Sequence, residues 1–146
     1  NYKTRNYKMK KLCIVLADYY KDISKMLLDG AASEQANDKC DLVIKKVYHV
    51  PGVFEIPVTI SKHINRYDCF VALGCVIKGE TPHFDLISKA VVNAIMDLSV
   101  ESKKPIGNGI ITCLNMKQAL ERADPKGKNI GGHAVSAVLQ TLANFK

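Results

Sequence analysis

The sequence predicts an α/β fold in which one four-stranded parallel sheet carries helices on both faces, a three-layer α/β/α sandwich. Two observations lead to this prediction. Four short runs rich in Val, Ile, Leu and Cys are apolar enough to be strands that are buried on both faces. Each run is followed by a segment whose apolar residues recur with the helical period, and such alternation gives parallel strands joined by right-handed crossovers.

The predicted elements alternate along the chain. Strands are expected at residues 12–17, 42–49, 71–77 and 106–112. Helices are expected from Ile23 to Asn37, at residues 56–64, from Phe84 to before Lys103, and at residues 116–123 and 134–145. The third helix is the longest, and its apolar residues recur every three or four positions, at Phe84, Ile87, Val91, Ala94, Ile95 and Leu98.

Length and composition indicate one domain. The 146 residues are enough to bury a core, and no Pro-, Gly- or Ser-rich linker divides them. We assign residues 11–146 to this domain and residues 1–10 to a flexible basic extension. Five of the 21 basic residues and none of the 14 acidic ones fall in the first eleven positions, which concentrates the net charge of +7 there. Tyr2 and Tyr7 would suit contact with RNA, but we favour a solvated tail and predict no nucleic-acid partner.

Several other classes of protein are disfavoured. No apolar run approaches the ~20 residues of a membrane span, and residues 12–17 are shorter than a signal-peptide core, so we expect a cytoplasmic protein without a membrane partner. The histidines form no H-E-x-x-H pair, and Glu80 stands where a P-loop requires lysine. No metal and no cofactor is predicted. The cysteines form no C-x-x-C pair, which argues against a disulfide framework or a zinc ribbon; they are Cys13, Cys40, Cys69, Cys75 and Cys113.

The segment from residue 73 to residue 85 is the strongest candidate for a reaction site. An apolar strand runs there into Gly79, which lets the backbone turn, and then into Thr81 and Pro82, a natural N-cap and a natural first helical residue. Backbone amides at such a helix N-terminus attract anions. His83 would then hold a proton-exchanging imidazole beside the anion, although a polar residue in a first helical turn needs no catalytic role.

Other candidate segments fall at the same edge of the predicted sheet. In open parallel sheets, ligands bind beyond the carboxyl ends of the strands. Tyr19 follows the first strand, residues 53–55 follow the second, residues 76–83 end the third, and Asn108 lies in the fourth. We therefore expect one ligand-binding edge to which all four strands contribute.

Three ordered blocks of the sequence resemble one enzyme family. Residues 74–85 read G-C-V-I-K-G-E-T-P-H-F-D, and residues 50–57 read V-P-G-V-F-E-I-P. Residues 109–112 read G-I-I-T and residues 118–123 read Q-A-L-E-R-A. In this order and at this spacing the blocks resemble the 6,7-dimethyl-8-ribityllumazine synthases, and the resemblance covers nearly everything after Lys10.

The resemblance implies a flavodoxin-like form of the predicted fold and an enzyme of riboflavin biosynthesis. In that family, 5-amino-6-ribitylaminouracil is condensed with 3,4-dihydroxy-2-butanone 4-phosphate, and phosphate is released without a cofactor. The resemblance also implies a homo-oligomer, either a pentamer or an assembly of pentamers, which can associate with riboflavin synthase. A flavin- or lumazine-binding module without turnover and a structural shell protein are the alternatives.

The resemblance assigns a role to each matching residue. His83 is the residue that moves protons. The pyrimidine and its ribityl chain are bound by Tyr19, Val53, Phe54, Glu55, Val76, Ile77 and Asn108. The substrate phosphate is bound by Gly79, Glu80, Thr81 and, from an adjacent subunit, Arg122.

Two of these assignments have alternatives in the sequence itself. Tyr20 competes with Tyr19 for the position that stacks on the pyrimidine, because a shift of one residue exchanges them. Arg122 could instead be a surface residue that pairs with Gln118 one helical turn away.

At two positions the sequence departs from the family pattern. Asn108 stands where the family often has phenylalanine. Ile130 stands where it often has lysine, and it cannot carry that charge. Lys126 or Lys128 would have to supply the missing cation.

Overall fold

The computed structural model describes residues 9–37 and 41–146. The strands are β1 (Lys10–Ala17), β2 (Leu42–Val50), β3 (Cys69–Ile77) and β4 (Ile106–Cys113). The helices are α1 (Lys21–Gln35), α2 (Ile56–His63), α3 (His83–Ser102), α4 (Met116–Ala123) and α5 (Ile130–Ala143), with a short 3-10 turn at Val53–Glu55 before α2. None of the helices in these ranges combines the length and the apolar content needed to cross a bilayer. Cys40 and most of the predicted basic extension lie outside the described residues.

All four strands are parallel and lie in the order β2-β1-β3-β4. The chain adds β2 on one side of β1 and then crosses over to add β3 and β4 on the other. The predicted parallel sheet is therefore confirmed. The direction of building reverses between β1 and β3, which is where sheets of this kind bind ligands.

The two faces of the sheet pack against different helices. Along β1, Leu12, Ile14 and Leu16 pack with residues of α1, α4 and α5, whereas Cys13 and Val15 pack with residues of α2 and α3. These five side chains are at most 2% exposed. Apolar residues at every strand position are what a sheet covered on both sides requires. This arrangement confirms the predicted three-layer sandwich.

The boundaries of the elements agree with the prediction within two residues, except at the start of α5. Helix α3 begins at His83 with Pro82 as its N-cap, so Thr81 is not the capping residue. Helix α5 begins at Ile130, four residues earlier than predicted. The cause is Asn129, whose φ of 48° and side-chain bond to an amide three residues later form an N-cap that the apolar pattern does not reveal.

Candidate active site

The last residues of β3 extend past the ladder that β3 forms with β1, and the open side of β3 beyond that ladder is called here the crevice. The β1–β3 ladder ends with the pair Leu16 and Leu73, whereas β3 continues beside β4 as far as Ile77, which pairs with Cys113. Within the described residues, the end of β3 therefore has no strand partner on its β1 side beyond Leu73. A ligand in the crevice can take the place of that partner.

The backbone of Ile77 faces this open side. Backbone groups of a strand alternate between its two neighbours. The amides of Phe70 and Lys78 donate toward the β4 side, at 3.0 and 2.8 Å, so the even-numbered residues of β3 face β4. Of the two candidate pyrimidine-binding residues on β3, Val76 has its backbone groups turned toward β4, whereas Ile77 offers its amide and carbonyl to the crevice.

Tyr19 and Tyr20 have different environments after β1. Tyr19 is 73% exposed, and its ring meets that of Tyr20 edge-on with 4.9 Å between centroids. Tyr20 packs against the core on the α1 side of the sheet, and burial raises the pKa of its hydroxyl, with smaller contributions from Cys75 and Tyr19. Tyr19 is therefore the one whose ring a ligand at this edge can reach.

On the loop after β2, two of the three candidate side chains are accessible to a ligand. Val53 is buried and packs over Gly74, so closely that a side chain at Gly74 would overlap it. Its side chain belongs to the core, and only its backbone can face a ligand. Phe54 is 63% exposed. The Glu55 carboxylate is half-buried and folds back toward Gly52, where an added Cβ would lie 3.4 Å from Oε1.

Gly79 lies in an open loop together with the exposed residues Glu80 and Thr81. A Cβ built on Gly79 would have no atom within 4 Å, and the φ of this residue is not in the left-handed region. The fold therefore does not require glycine here, contrary to the expectation that it frees a turn. What the missing side chain does provide is unobstructed access to the backbone of the loop.

His83 is the first residue of α3 and is exposed. Its amide makes a long bond, 3.4 Å, to the Thr81 hydroxyl, and no side chain of Pro82 caps the helix. The N-terminus of this 20-residue helix thus has amides available for an anion, and the imidazole lies beside them.

Arg122 lies against the end of its own chain's β4. The charge of its side chain acts on the thiol of Cys113, and the thiols of Cys113 and Cys75 influence each other. Burial raises the pKa of Cys75 to about 12 and also raises that of Cys113, where Arg122 acts in the opposite direction. The alternative pairing of Arg122 with Gln118 is not found among the described residues, and the Gln118 side chain accepts instead from the Leu114 amide at 2.8 Å.

Asn108 does not lie at the carboxyl edge of its own sheet, so the expectation of one edge shared by all four strands is wrong for β4. It pairs with Ala72 in the middle of the sheet, five residues before β4 ends. Its side chain accepts from the Ile110 amide at 3.1 Å and lines a hollow of about 120 Å³ between β4 and α3. The predicted strand at residues 106–112 agrees with β4, and its bounds already place Asn108 away from the carboxyl end.

The departure at Ile130 has a structural counterpart. Ile130 is half-buried and packs against the core on the α1 side. A lysine side chain in this place would bring its charge against apolar residues. Lys126 and Lys128 are exposed, and the backbone amide of Lys128 donates to the Glu121 carbonyl at 3.0 Å. Lys128 is thereby tethered next to Arg122, at the end of α4.

One polar pair at this edge was missed by the sequence analysis. His49 Nδ1 lies 2.7 Å from Asp18 Oδ2, which joins the end of β2 to the residue before Tyr19. The two residues are 31 positions apart and match no motif. The signal that could have found them is their shared location, since both stand where parallel strands end.

The site combines four chemical capabilities. The crevice offers a backbone donor and acceptor to a planar heterocycle, Glu55 can accept bonds from hydroxyls, and the open loop at the start of α3 suits a phosphate. His83 can transfer a proton next to that phosphate. Among the described residues, no group of three or more His, Cys, Asp or Glu side chains could hold a metal ion.

Known proteins resemble this chain over nearly its whole length. The family model described as 6,7-dimethyl-8-ribityllumazine synthase matches residues 9–146. A protein of that name from Zymomonas mobilis is 42% identical over 142 residues, which cover 94% of this chain and 97% of the relative. A protein of the same name from Limosilactobacillus reuteri is 39% identical over 140 residues, which cover 94% of this chain and 91% of the relative. One from Rhodopseudomonas palustris is 42% identical over 139 residues, covering 90% and 83%.

Proposed function

Because this chain belongs to the 6,7-dimethyl-8-ribityllumazine synthase family, we propose that it is the enzyme that makes this lumazine in riboflavin biosynthesis. As a transferase, it condenses 5-amino-6-ribitylaminouracil with 3,4-dihydroxy-2-butanone 4-phosphate and releases phosphate. The crevice beside Ile77 is the observation that carries the proposal, because it offers hydrogen-bonding backbone groups next to an exposed tyrosine.

The pyrimidine substrate binds in this crevice. Its ring lies against Tyr19 and bonds to the backbone of Ile77, whose open side replaces a missing strand. The ribityl chain runs along the loop after β2, where the Glu55 carboxylate accepts bonds from its hydroxyls. Phe54 and the backbone of Val53 cover the chain.

The phosphorylated substrate binds at the loop before α3. Backbone amides of Gly79, Glu80 and Thr81 hold the phosphate, and Arg122 adds a charged donor. Lys128 supplies the positive charge near the phosphate that Ile130 does not carry, because its backbone is held beside Arg122.

His83 exchanges protons during the condensation. Imine formation, loss of phosphate and ring closure each move a proton, and an imidazole near the phosphate can both donate and accept one at neutral pH. The remaining acceleration comes from holding the two substrates together in the right orientation.

An apolar face on α3 supports an assembly of several copies. Val92, Met96 and Val100 stand at every fourth position and are 37%, 60% and 68% exposed. Asn108 on the adjacent edge strand lines the same hollow as Val92 and Met96. Such a face suits an interface between subunits. The chain therefore forms a pentamer or an assembly of pentamers, in which Asn108 and Arg122 complete the site of the neighbouring subunit.

A cytoplasmic location and association with riboflavin synthase are further parts of the proposal. Both follow from the role in riboflavin biosynthesis. Co-purification with riboflavin synthase from cells expressing both proteins tests the second.

The direct test is incubation of the purified protein with both substrates. The expected result is release of phosphate together with the absorbance and fluorescence of the lumazine, above the rate of the uncatalysed condensation. Binding of the lumazine without turnover would instead make this a ligand-binding module, and assembly without either would make it a structural protein. Replacement of His83 by Ala should lower turnover by about 10²–10⁴-fold while the assembly stays intact.

A further inference from the structure

A polar hollow of about 300 Å³, called here the basic hollow, lies at the amino ends of the strands. It is formed by the start of β1, the segment between α2 and β3, and the residue two positions before β4. Its lining residues are Met9, Lys10, Lys11, Asn65, Arg66, Tyr67, Asp68 and Lys104. Strands of eight or nine residues separate it from the candidate active site by roughly 25 Å. The hollow is therefore a second feature, independent of the proposed reaction.

The charges of the basic hollow are unbalanced. Four cationic residues line it and Asp68 is the one acidic residue among them. The Asp68 carboxylate already accepts from the backbone amide of Lys11 at 2.7 Å. In the part of the chain that the structure describes, the ion pair found is that of His49 with Asp18, so the four cations have no carboxylate partner. A positively charged concavity without counter-charge attracts anions.

Two of the four cations are held in place. The ammonium group of Lys104 donates to the carbonyl oxygen of Ile64 at 2.6 Å, which fixes a long side chain at the rim of the hollow. Arg66 Nη1 lies 3.4 Å from His63 Nδ1, and the Arg66 amide donates to the His63 carbonyl at 2.9 Å. Side chains that are positioned beforehand lose less entropy when they bind a ligand.

His63 reports a positive potential beside the hollow. Partial burial lowers the pKa of its imidazole, and the charges of Arg66, Lys62 and Lys46 lower it further. The His63 ring stacks on Tyr48 with 4.3 Å between centroids, and Lys46 Nζ lies over the Tyr48 ring, 5.3 Å from its centroid. Cations from three elements thus act on one exposed surface.

The sequence adjoining the hollow adds to this charge. Residues 1–8 contain Lys3, Arg5 and Lys8 and no acidic residue, so they supply no counter-charge in sequence terms. We propose that the basic hollow binds a small phosphate-bearing ligand through its pyrophosphate or phosphate groups. Phosphate oxygens suit several Lys and Arg donors at once, and the volume is at the lower end of the range for small-molecule sites.

Equilibrium dialysis of the assembled protein against radiolabelled inorganic pyrophosphate tests this. The variant Lys10→Gln/Arg66→Gln removes two cations of the hollow, and the control Lys25→Gln/Lys117→Gln removes two exposed lysines from α1 and α4. Both variants lose the same net charge. We expect the first variant to bind about tenfold more weakly than wild type at equal ionic strength, and the control to bind normally. Turnover of the lumazine reaction should be unchanged in both.

A second measurement locates the bound ligand. Nuclear magnetic resonance of isotope-labelled histidines should show the pKa of His63 rising by about half a pH unit with pyrophosphate, because a nearby anion offsets the cations. Binding should also persist in Arg122→Ala, which lacks the cation proposed for the substrate phosphate.

Four results would overturn the proposal. These are equal binding by wild type and Lys10→Gln/Arg66→Gln, loss of binding in Arg122→Ala, no response of His63, and binding of RNA without binding of pyrophosphate. The last would assign the surface to a long polyanion rather than to a small ligand. Circular dichroism of each variant checks that the fold is retained.

Discussion

The backbone amide of Lys78 donates to the carbonyl oxygen of Cys113 at 2.8 Å, and this bond joins the candidate phosphate-binding loop to the end of β4. The charge of Arg122 acts on the thiol of the same Cys113, where it lowers the pKa that burial raises. One residue of β4 therefore adjoins both the base of the loop and the arginine. The loop continues beyond Lys78, and a Cβ added at Gly79 would meet no atom within 4 Å.

Replacement of Gly79 by Ala should separate function from stability. Because a Cβ there meets nothing and the backbone is not left-handed, the free energy of unfolding should stay the same or rise by about 0.4–1 kcal/mol. The KM for the butanone phosphate should rise, since a methyl group now stands between the loop backbone and the phosphate. Chemical denaturation and steady-state kinetics measure the two effects.

Gly107→Ala is the matched control. A Cβ at Gly107 would overlap the carbonyl oxygen of Ala134 in α5, so this variant should lose stability. If Gly79→Ala instead unfolds more easily and binds its substrate normally, glycine at this position serves the fold, and the proposed phosphate contact is wrong.

Replacement of Glu55 by Gln should affect one substrate. The amide keeps the shape of the side chain but replaces charge-assisted bonds with neutral ones, so the KM for the pyrimidine should rise by about fivefold to tenfold. The KM for the butanone phosphate should hardly change, because Glu55 lies on the loop after β2 and not beside Gly79. Equal increases for both substrates would contradict a role in ribityl binding.

His63 should make the protein less stable under mildly acidic conditions. Its pKa in the folded protein is lower than the ordinary value of 6.5, so the unfolded chain binds a proton more readily. Stability is therefore full above about pH 6.5 and falls as the pH drops through that value toward the lowered pKa. In His63→Phe, which keeps a ring stacked on Tyr48 but cannot titrate, the loss between about pH 7 and pH 5.5 should be smaller.

Urea unfolding of both proteins across this range measures the difference. The two proteins differ at residue 63 alone, so the difference between their profiles isolates His63. Parallel profiles would mean that the nearby cations Arg66, Lys62 and Lys46 do not disfavour protonation in the folded state.

The sequence was sufficient for the fold because both periodicities were clear. Strand β1 is apolar at every position from Leu12 to Ala17, which only a sheet covered on both faces allows, and α3 shows its stripe over 20 residues. The helix starts were less certain. Thr81 and Pro82 both suit the start of α3, and Asn129 suits that of α5, but only the backbone geometry shows which residue is the cap.

For the site, sequence order indicated which residues follow which strand, but not where each residue lies relative to the neighbouring strands. Asn108 was misplaced although the predicted strand bounds already made it the third residue of β4, which ends five residues later. The opening beside Ile77 depends on where the β1 ladder ends, which no residue type encodes. The bond between Asp18 and His49 needs β1 and β2 to be side by side.

Mixing two inactive variants should test whether Arg122 serves a neighbouring subunit. In His83→Ala and Arg122→Ala proteins every site lacks one group. After denaturation and reassembly of an equal mixture, a site shared between subunits receives both wild-type groups in about a quarter of the interfaces. Activity should then recover to about a quarter of the wild-type value.

Arg122 also acts on Cys113 of its own chain, so a role for this arginine in its own subunit's site must be tested too. If Arg122 binds the phosphate of its own chain, each site needs His83 and Arg122 from the same subunit. No subunit in the mixture has both, so the mixture stays as inactive as the two parent variants. Native mass spectrometry must show mixed assemblies for this result to count. Weaker phosphate binding by unmixed Arg122→Ala is expected for either arrangement, because every site then lacks the arginine, so only the mixture distinguishes the two.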